Sequence, residues 1–429
     1  MMAMGPHTEN APPLALPLTF FVTGLVGLLG AFGDLAVHPR DLMQLAYGSG
    51  ALLSATHFLT LGFISMVMMG AMYQLVPVVM NTTLFSVRLG FWHYGLYVPG
   101  VAALIGGMLV LKPALMAVGG SLVIAGVAVF VVNMARTLRQ ARIWGASGAY
   151  IATAIGYLAL TVTMGWLLAW NFVHPFMRGG TFIPVHLALG LLGWFTFTLM
   201  GVSYKLLPMF ALTSTRAPRA WWAYGLLNAS VGVAVLGRLL GVPDTLPAAG
   251  GLAAVALACY IGDVVTLLRA RRRRVLDAAV VMALTGLGFL PLIALFTVLA
   301  AFGAGGWVMA LYLFFFGWLG FSILGYLQKI VPFLLWLHRY APKIGREPVP
   351  RMRDILPEAW TWQVYALYGA GVVAGAVALV ASSESALVLA LALAGVGVLR
   401  LMAAVVRALM TEPAMPSPPA SRARFRAPG

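Results

Sequence analysis

The stretch GFISMVMMGAMYQLVP, residues 62–77, recurs in outline at two later places in the chain. The second copy is GWFTFTLMGVSYKLLP at residues 193–208, and the third is GWLGFSILGYLQKIVP at residues 317–332. In every copy a second glycine follows the first after eight residues, and a proline closes the motif after fifteen. The prolines are 131 (208 − 77) and 124 (332 − 208) residues apart, which predicts a threefold internal repeat.

The composition of the chain is that of an integral membrane protein. Hydrophobic residues make up 62% of its 429 residues and charged residues only 9%, and the mean hydropathy is +0.95. Because a helix needs roughly 20 apolar residues to cross a bilayer, the sequence predicts about twelve spanning helices, centred near residues 25, 65, 100, 124, 159, 196, 230, 257, 290, 321, 370 and 394. The motif then falls on the second, sixth and tenth helices. The predicted fold is an all-α polytopic membrane protein with three pseudo-symmetric four-helix repeats.

The predicted organisation is a single membrane domain with two short polar ends. A lead covers residues 1–17, the twelve-helix domain covers 18–411, and a basic, proline-rich tail covers 412–429. The three repeats occupy about 18–142, 143–274 and 275–411. The lead lacks the basic cluster and cleavage site of a signal peptide and is expected to be cytoplasmic. The tail is too polar to pack, so we expect it to be disordered.

Arginine and lysine give the chain a formal charge of +16, and their positions predict its topology. Of the 27 basic residues, 21 lie in the tail or around the loops after even-numbered helices, whereas the loops after odd-numbered helices hold only Arg40, Lys112 and Arg178. The positive-inside rule therefore predicts that both termini are cytoplasmic, in a bacterial-type inner membrane. The run from Arg271 to Arg274 is interpreted as an anchor to that surface, and nucleic-acid binding is not expected.

Histidine is the residue type most able to carry chemistry here, since the single cysteine, Cys259, excludes a multi-cysteine metal site. By the predicted topology only His57 and His186 are inside the membrane; the cytoplasmic side holds His7, His93 and His338, and the outer loops hold His38 and His174. His57 precedes its motif proline by 20 residues and His186 by 22, so the rings lie at similar depth. Neutral imidazoles at matching depth predict a haem or metal site. The alternative is that each ring only bonds a carbonyl or hydroxyl on a neighbouring helix.

A second set of polar residues comes three positions before each motif proline: Gln74, Lys205 and Lys329. The set is either a polar pathway for protons or anions or, for the lysines, side chains that reach the inner interface. Each proline is expected to bend or stop its helix near the inner surface. Asp263 and Asp277 are expected near that surface too, which leaves no mid-membrane carboxylate for an ion-coupled transporter.

The segment from Thr56 to Pro77 resembles helix two of the haem-copper oxidase superfamily, and most nearly that of the nitric oxide reductase large subunit. It carries a histidine at His57, then glycines, then an aromatic-rich ending that closes in Leu-Val-Pro. Twelve helices in three four-helix arcs, with cytoplasmic termini, is also the plan of that family. The resemblance implies that His57 is an axial ligand of haem b and, more distantly, that His186 is a second haem or metal ligand. Size and histidine placement are also similar to those of NnrS-like membrane proteins, which are linked to nitric oxide stress.

The chain departs from the family where a copper centre would be built. In the family, helix seven supplies a histidine pair and helix ten supplies a histidine to each haem. Here residues 221–240 contain no histidine, and helix ten has aromatic residues at those places: Tyr312, Phe314, Phe315 and Phe316. The Trp-His-x-His-Glu-Met run of NnrS-like proteins is absent as well. Copper and a conventional terminal oxidase are therefore not expected, and the residues favour a protein that is not an enzyme without deciding the matter.

Two functions stay open on this evidence. The first is a b-type haem-binding membrane protein of this superfamily, degenerate at the copper site, with a role in respiratory electron transfer, the response to nitric oxide or oxygen, or complex assembly. The second is a channel or transporter for a small solute, copper or haem on the same scaffold without a redox cofactor. The expected partners are the lipid bilayer and other respiratory membrane subunits. Gly371 and Gly375 favour close helix pairing or a homodimer.

Overall fold

The computed structural model describes residues 12–243 and 245–411, which form helices joined by loops, with no β-strand in those two ranges. Residues 1–11 of the predicted lead, including His7, and the predicted tail at 412–429 lie outside the described residues. Eleven helices of the described part are long and apolar enough to cross a membrane. The prediction of an all-α, multi-pass membrane protein in a lipid bilayer is therefore confirmed.

The long helices follow one another in the order that the apolar stretches predict. They are α1 (Ala15–Val37), α2 (Gly50–Val78), α3 (Val87–Leu109), α4 (Pro113–Arg139), α5 (Ala146–Asn171), α6 (Gly179–Ala211), α7 (Ala220–Leu239), α8 (Thr245–Arg269), α9 (Ala278–Ala301), α10 (Trp307–Lys343), α11 (Glu358–Val380) and α12 (Glu384–Met410). The eleven candidate spans are all of these except α3, which is less apolar than the others. It is nevertheless 23 residues long, and Gly100 and Gly107 let it pack closely against the backbone of α4.

Local sequence sets where several helices begin. At the starts of α2, α3, α9 and α12, a side-chain oxygen accepts a hydrogen bond from a backbone N–H of the first turn; the residues are Ser49, Ser86, Asp277 and Ser383. Beyond these caps the apolar stretches stay helical, because a backbone group without a hydrogen bond is costly inside a bilayer. Helix formation and helix position thus follow from residues close in sequence.

Each of the three motif helices contains an eight-residue π-helical segment, and the sequence analysis did not predict these segments. They are Phe58–Ser65 in α2, Leu189–Thr196 in α6 and Leu313–Gly320 in α10. Every segment begins 19 residues before the motif proline (77 − 58, 208 − 189, 332 − 313) and has the first motif glycine as its fifth residue. π-helical turns are rare in proteins, and those that occur are often found at functional sites. Their recurrence in all three motif helices therefore makes this level of the bundle a candidate for a functional site.

The first motif glycines allow close packing against α1, α5 and α9. Gly62 lies against the backbone of Gly27. A Cβ atom added at Gly193 would lie 2.6 Å from the ring of Tyr157, and one added at Gly317 would lie 2.8 Å from the ring of Phe289. A Cβ atom at Gly193 or Gly317 would therefore displace an aromatic ring, whereas in the first copy the crowded position is Gly27, whose Cβ would overlap the carbonyl group of Gly62.

A pair of hydroxyl groups joins the first and third helices of each predicted repeat. The pairs are Thr23 with Tyr94 at 2.8 Å, Thr153 with Tyr224 at 2.8 Å and Thr285 with Tyr365 at 3.4 Å. Each threonine is four residues before the residue that packs on the motif glycine. Hydrogen bonds between helices are therefore found at matching positions in all three parts of the chain.

The three motif helices meet at the centre of the bundle. Trp194 of α6 donates its indole N–H to Ser65 Oγ of α2 at 3.0 Å, and the hydroxyls of Ser203 in α6 and Tyr326 in α10 are 2.6 Å apart. A cavity of about 40 Å³ remains between the three helices, lined by apolar side chains and by Thr198 and Tyr326. α2, α6 and α10 thus form the core around which the other helices pack.

The motif proline ends the first two motif helices but not the third. α2 and α6 stop within three residues of Pro77 and Pro208. α10 continues past Pro332 to Lys343, so this proline does not stop its helix. The next turns are held by packing, because Leu334 and Leu335 are 0% and 1% exposed. Tertiary contacts here outweigh the local cost of a proline inside a helix.

The two ends of the described chain lie at the same end of the bundle. His338 Nε2, near the end of α10, is 3.0 Å from the carbonyl oxygen of Pro12. The adjacent Arg339 donates to the carbonyl oxygens of Ala408, at 3.3 Å, and Leu409, at 2.8 Å. The extension of α10 therefore contacts the segment before α1 and the last turn of α12 together.

Candidate functional site

His57 occupies the last α-helical position before the π-helical segment of α2, and its ring is half-buried. Its Nδ1 atom is 2.8 Å from the carbonyl oxygen of Leu53, one turn earlier in the same helix. A carbonyl oxygen can only accept, so Nδ1 carries the proton and Nε2 presents a lone pair. No residue in the described ranges is hydrogen-bonded to this Nε2 atom. The ring thus has the tautomer and the free nitrogen of a metal ligand.

His186 reaches the same state through a different helix. Its ring is half-buried on α6, and its Nδ1 atom donates to the carbonyl oxygen of Thr161 on α5 at 3.0 Å. Its Nε2 atom also has no hydrogen-bond partner among the residues that the structure describes. Gly165, one turn after Thr161, makes room for the ring, since a Cβ atom there would lie 3.0 Å from Cε1. Two helices therefore fix the orientation of this imidazole.

His57 and His186 belong to two different motif helices, and residue counting from the motif prolines places their rings at a similar depth. In the described part of the chain, no three His, Cys, Asp or Glu side chains form a group that could hold a metal ion. What the structure offers is therefore a pair of imidazole nitrogens, each oriented by a carbonyl on its far side.

The third motif helix has a tyrosine at the position of His57. Tyr312, like His57, is 20 residues before its motif proline. Its hydroxyl donates to the carbonyl oxygen of Val372 on α11 at 3.0 Å, in a space that Gly375 leaves open. The side chain is 3% exposed, and its only polar group is already bonded. At the position of His57, the third copy thus has a side chain whose polar group is already hydrogen-bonded.

The glycines that suggested a homodimer are used inside the chain. Gly371 lies against the backbone of α12 at Ala390 and Ala394, and Gly375 lies against Tyr312. Close helix pairing was therefore correctly anticipated, but within one chain. Because both glycines are already covered, they give no support to a homodimer, which stays a prediction.

The three residues of the predicted polar pathway lie in different surroundings. Gln74 is buried, and neither of its amide atoms has a partner in the described part of the chain. Lys205 is exposed on the surface of the bundle. Lys329 forms an ion pair with Asp277 at 2.5 Å. No hydrogen bond joins any two of the three among the described residues, so a connected path through them stays a prediction.

His93 is a further buried histidine that the sequence analysis counted as cytoplasmic. Its ring is 0% exposed, and its Nδ1 atom is 2.9 Å from the hydroxyl of Tyr73. The rings of Phe20 and Phe130 lie 5.0 and 5.2 Å from it. Its Nε2 atom has no partner within the described ranges. The structure thus places this ring in the core of the bundle, between side chains of α1, α2 and α4, and its position relative to the membrane stays a prediction.

Asp263, which is expected near the inner surface, is a buried carboxylate. It lies six residues before the end of α8 and is 0% exposed. Its oxygens accept from the backbone N–H of Arg219 at 3.0 Å, from the guanidinium of the same residue at 3.5 Å and from the hydroxyl of Tyr204 at 3.2 Å. Tyr73 and Tyr204 occupy the same motif position, and each bonds a buried titratable group. The sequence shows that the two tyrosines share a motif position, but only the structure shows which group each hydroxyl bonds.

Comparison of the chain with protein-family models finds no match, and comparison with curated proteins finds none. The relation to the haem-copper oxidase superfamily therefore stays a prediction. Function has to be inferred from the side chains of the bundle, and the pair His57 and His186 is the part best suited to bind a cofactor.

Proposed function

We propose that the chain is a b-type haem-binding membrane protein of the haem-copper oxidase superfamily, degenerate at the copper site, with His57 and His186 as iron ligands. Its role is in respiratory electron transfer, in the response to nitric oxide or oxygen, or in the assembly of a respiratory complex. One observation carries the proposal. Each ring gives its Nδ1 proton to a backbone carbonyl and keeps Nε2 without a partner among the described residues.

The donor set suits a haem better than a bare metal ion. A porphyrin supplies four nitrogens to its iron, so the imidazoles of His57 and His186 would be the residues that hold it. A zinc or copper ion held by protein alone needs more ligands than these two rings. A site made by one histidine of α2 and one of α6 also needs no ligand from α10. The hydroxyl of Tyr312 in α10 is already hydrogen-bonded to the carbonyl oxygen of Val372.

A bound haem would supply one-electron redox chemistry. The carbonyls of Leu53 and Thr161 keep the protons on Nδ1, so that each Nε2 atom has a lone pair with which it could hold the iron. These hydrogen bonds also fix the orientation of the two rings. Gly165 preserves the space in which the His186 ring sits.

We also propose the finer architecture: twelve spans in three related four-helix units, with both termini cytoplasmic in a bacterial-type inner membrane. The π-helical segments and hydroxyl pairs that recur with the motif support three related units. The contacts of His338 and Arg339 support an even number of crossings, which includes α3. The bias of basic residues towards that end supports its cytoplasmic location.

The test is a dithionite-reduced minus oxidised optical spectrum of the detergent-purified protein, expressed with ample haem. We expect a b-type band in the wild type and at least a tenfold loss of bound haem in His57→Ala and in His186→Ala. His174→Ala is the matched control, because His174 is exposed in a loop. It should keep the wild-type band. A monodisperse wild-type protein without colour would overturn the proposal.

A second candidate, a channel or transporter without a redox cofactor, is favoured by one observation. Asp263 is a fully buried carboxylate, and such groups in membrane proteins commonly belong to ion or proton pathways. Uptake by proteoliposomes of colourless protein, lost in Asp263→Asn, would support this function instead. Unchanged uptake in Asp263→Asn would leave the carboxylate a structural group that anchors Arg219 and Tyr204.

A further inference from the structure

Two arginines flank one tryptophan where α11 begins and α12 ends. The Cζ atom of Arg400 is 3.1 Å from the centroid of the Trp360 ring, and that of Arg407 is 4.9 Å from it. The arginines are seven residues apart on α12, which places them two turns apart on one face. Trp360 is the third residue of α11, so the cluster lies at the end of two antiparallel spans.

The cluster has no negative charge to balance it in the described part of the chain. Neither Arg400 nor Arg407 forms an ion pair there, and Arg400 Nε instead donates to the neutral side chain of Gln363 at 2.7 Å. Glu358, two residues before Trp360, is exposed and is not paired with either arginine. Two cations that share a face of one helix repel each other, so an anion bound between them would be stabilised.

Two other arginines, Arg339 and Arg273, already have hydrogen-bond or ion-pair partners. Arg339 donates to the carbonyl oxygens of Ala408 and Leu409, where a cation stabilises the C-terminus of α12. Arg273 pairs with Asp277 at 3.1 Å. Arg400 and Arg407 differ from both, because their guanidinium groups contact an aromatic face and keep donors free.

Apolar side chains surround the cluster on the outward face of α12. Leu399 is 53% exposed and Val406 is 48% exposed, and each directly precedes one of the arginines. Trp362 on α11 is exposed as well. The donors therefore lie next to a surface that contacts acyl chains. A ligand with a phosphate group attached to apolar chains fits this combination better than a free anion does.

We propose that Arg400, Arg407 and Trp360 form a binding site for the headgroup of an anionic phospholipid. The phosphate accepts hydrogen bonds from the two guanidinium groups, and the acyl chains lie along the apolar faces of α11 and α12. Trp360 holds both arginines at the level of the interface, as tryptophan does in membrane proteins. The site is independent of His57 and His186 and does not require the proposed haem.

The test uses native mass spectrometry of the full chain released from nanodiscs of phosphatidylcholine with a fixed fraction of phosphatidylglycerol. We expect the wild type to retain phosphatidylglycerol and Arg400→Gln/Arg407→Gln to retain it about thirtyfold less, roughly fivefold for each arginine. The matched control is Arg139→Gln/Arg142→Gln, which removes the same charge from exposed positions outside the arginine run at 271–274. It should retain the lipid nearly as the wild type does.

Three outcomes would overturn the proposal. Equal losses in the two double variants would mean that general surface charge binds the lipid. Wild-type retention in Arg400→Gln/Arg407→Gln would mean that the lipid binds elsewhere. Displacement of the lipid by millimolar inorganic phosphate would mean that the site takes a free anion. If the double variant does not fold, Arg407→Gln alone decides between the first two outcomes, because Arg407 is exposed and its loss leaves the packing intact.

Discussion

The first two motif helices and the third share a backbone conformation. They differ in whether the side chain near the start of the π-helical segment keeps a polar atom without a hydrogen bond. α2, α6 and α10 have the same π-helical segment at the same distance from the motif proline. In α2 and α6 a histidine near the start of that segment keeps one nitrogen unbonded within the described chain. In α10 the hydroxyl of Tyr312 is bonded to Val372. The repeat therefore preserves packing, whereas the capacity to bind a ligand varies from copy to copy.

The largest effect should come from breaking the packing that all three copies share. A leucine at Gly193 or at Gly317 would overlap Tyr157 or Phe289, and overpacking of this kind costs about 1–3 kcal/mol or more. We expect both variants to lose a large part of their thermal stability in detergent, to a similar degree. Gly33→Ala is the control, since nothing lies within 4 Å of the added Cβ atom. A strong effect in only one helix would contradict a shared scaffold.

The next effect separates the histidine copies from the tyrosine copy. In Gly165→Ala the added Cβ atom crowds the His186 ring at 3.0 Å, and we expect bound haem to fall about tenfold with little change in stability. Gly156→Ala, on the same helix with open space around its Cβ atom, should change neither. Haem is measured by the pyridine haemochrome spectrum per mole of protein. Unchanged haem in Gly165→Ala would argue against His186 as a ligand.

The corresponding change in the third copy should lower stability and leave the haem content unchanged, which is the reverse of the result expected for Gly165→Ala. Gly375→Ala places a Cβ atom against the hydroxyl of Tyr312, so we expect a stability loss of about 1–3 kcal/mol without a loss of haem. Tyr312→Phe removes only the hydrogen bond to Val372 and should cost about 1 kcal/mol. Thermal unfolding and haem content, measured on the same samples, check both. A haem loss in Tyr312→Phe would show that the third copy takes part in binding.

The smallest effect concerns the loop after α10, the helix that runs on past its proline. Partial burial of Asp354 opposes its ionisation, but the hydrogen bonds and charge of Arg351 prevail and hold the pKa of Asp354 below its ordinary value of 3.8. A lowered carboxyl pKa stabilises the folded loop above that ordinary value, and the stabilisation is lost as the pH falls through the lowered pKa. We expect the amide protection factors of residues 351–355, corrected for the intrinsic pH dependence of exchange, to fall at the acid end. Arg351→Gln should remove most of this pH dependence, and an unchanged profile would contradict the assignment.

Much of the scaffold was readable from the sequence, and particular residues show why the rest was not. The glycines at 62, 193 and 317 and the prolines at 77 and 208 act through packing and helix ending as their types predict. Pro332 does not end its helix, because Leu334 and Leu335 are buried by other helices. The burial of His93 was not foreseen, because the rings that surround it and its partner Tyr73 come from other helices.

The candidate site was foreseen in part. Depth along a helix follows from residue counting, so His57 and His186 could be matched in level from the amino-acid sequence alone. The identity of their Nδ1 partners could be anticipated only for His57, whose acceptor Leu53 is one turn away. Thr161 belongs to another helix, and no local pattern predicts which carbonyl will face His186.

The sequence by itself determined the order of the long helices, the recurrence of the motif and the similar depth of the two histidines along their helices. These properties depend on neighbouring residues and on the thickness of a bilayer. Tertiary structure decided that the hydroxyl of Tyr312 is hydrogen-bonded to Val372, that Lys329 pairs with Asp277 and that Asp263 is buried. It also decided which nitrogen atoms stay unbonded in the described chain. The physical reason is that hydrogen-bond partners inside a helical bundle come mostly from other helices, whose rotation and approach no local sequence specifies.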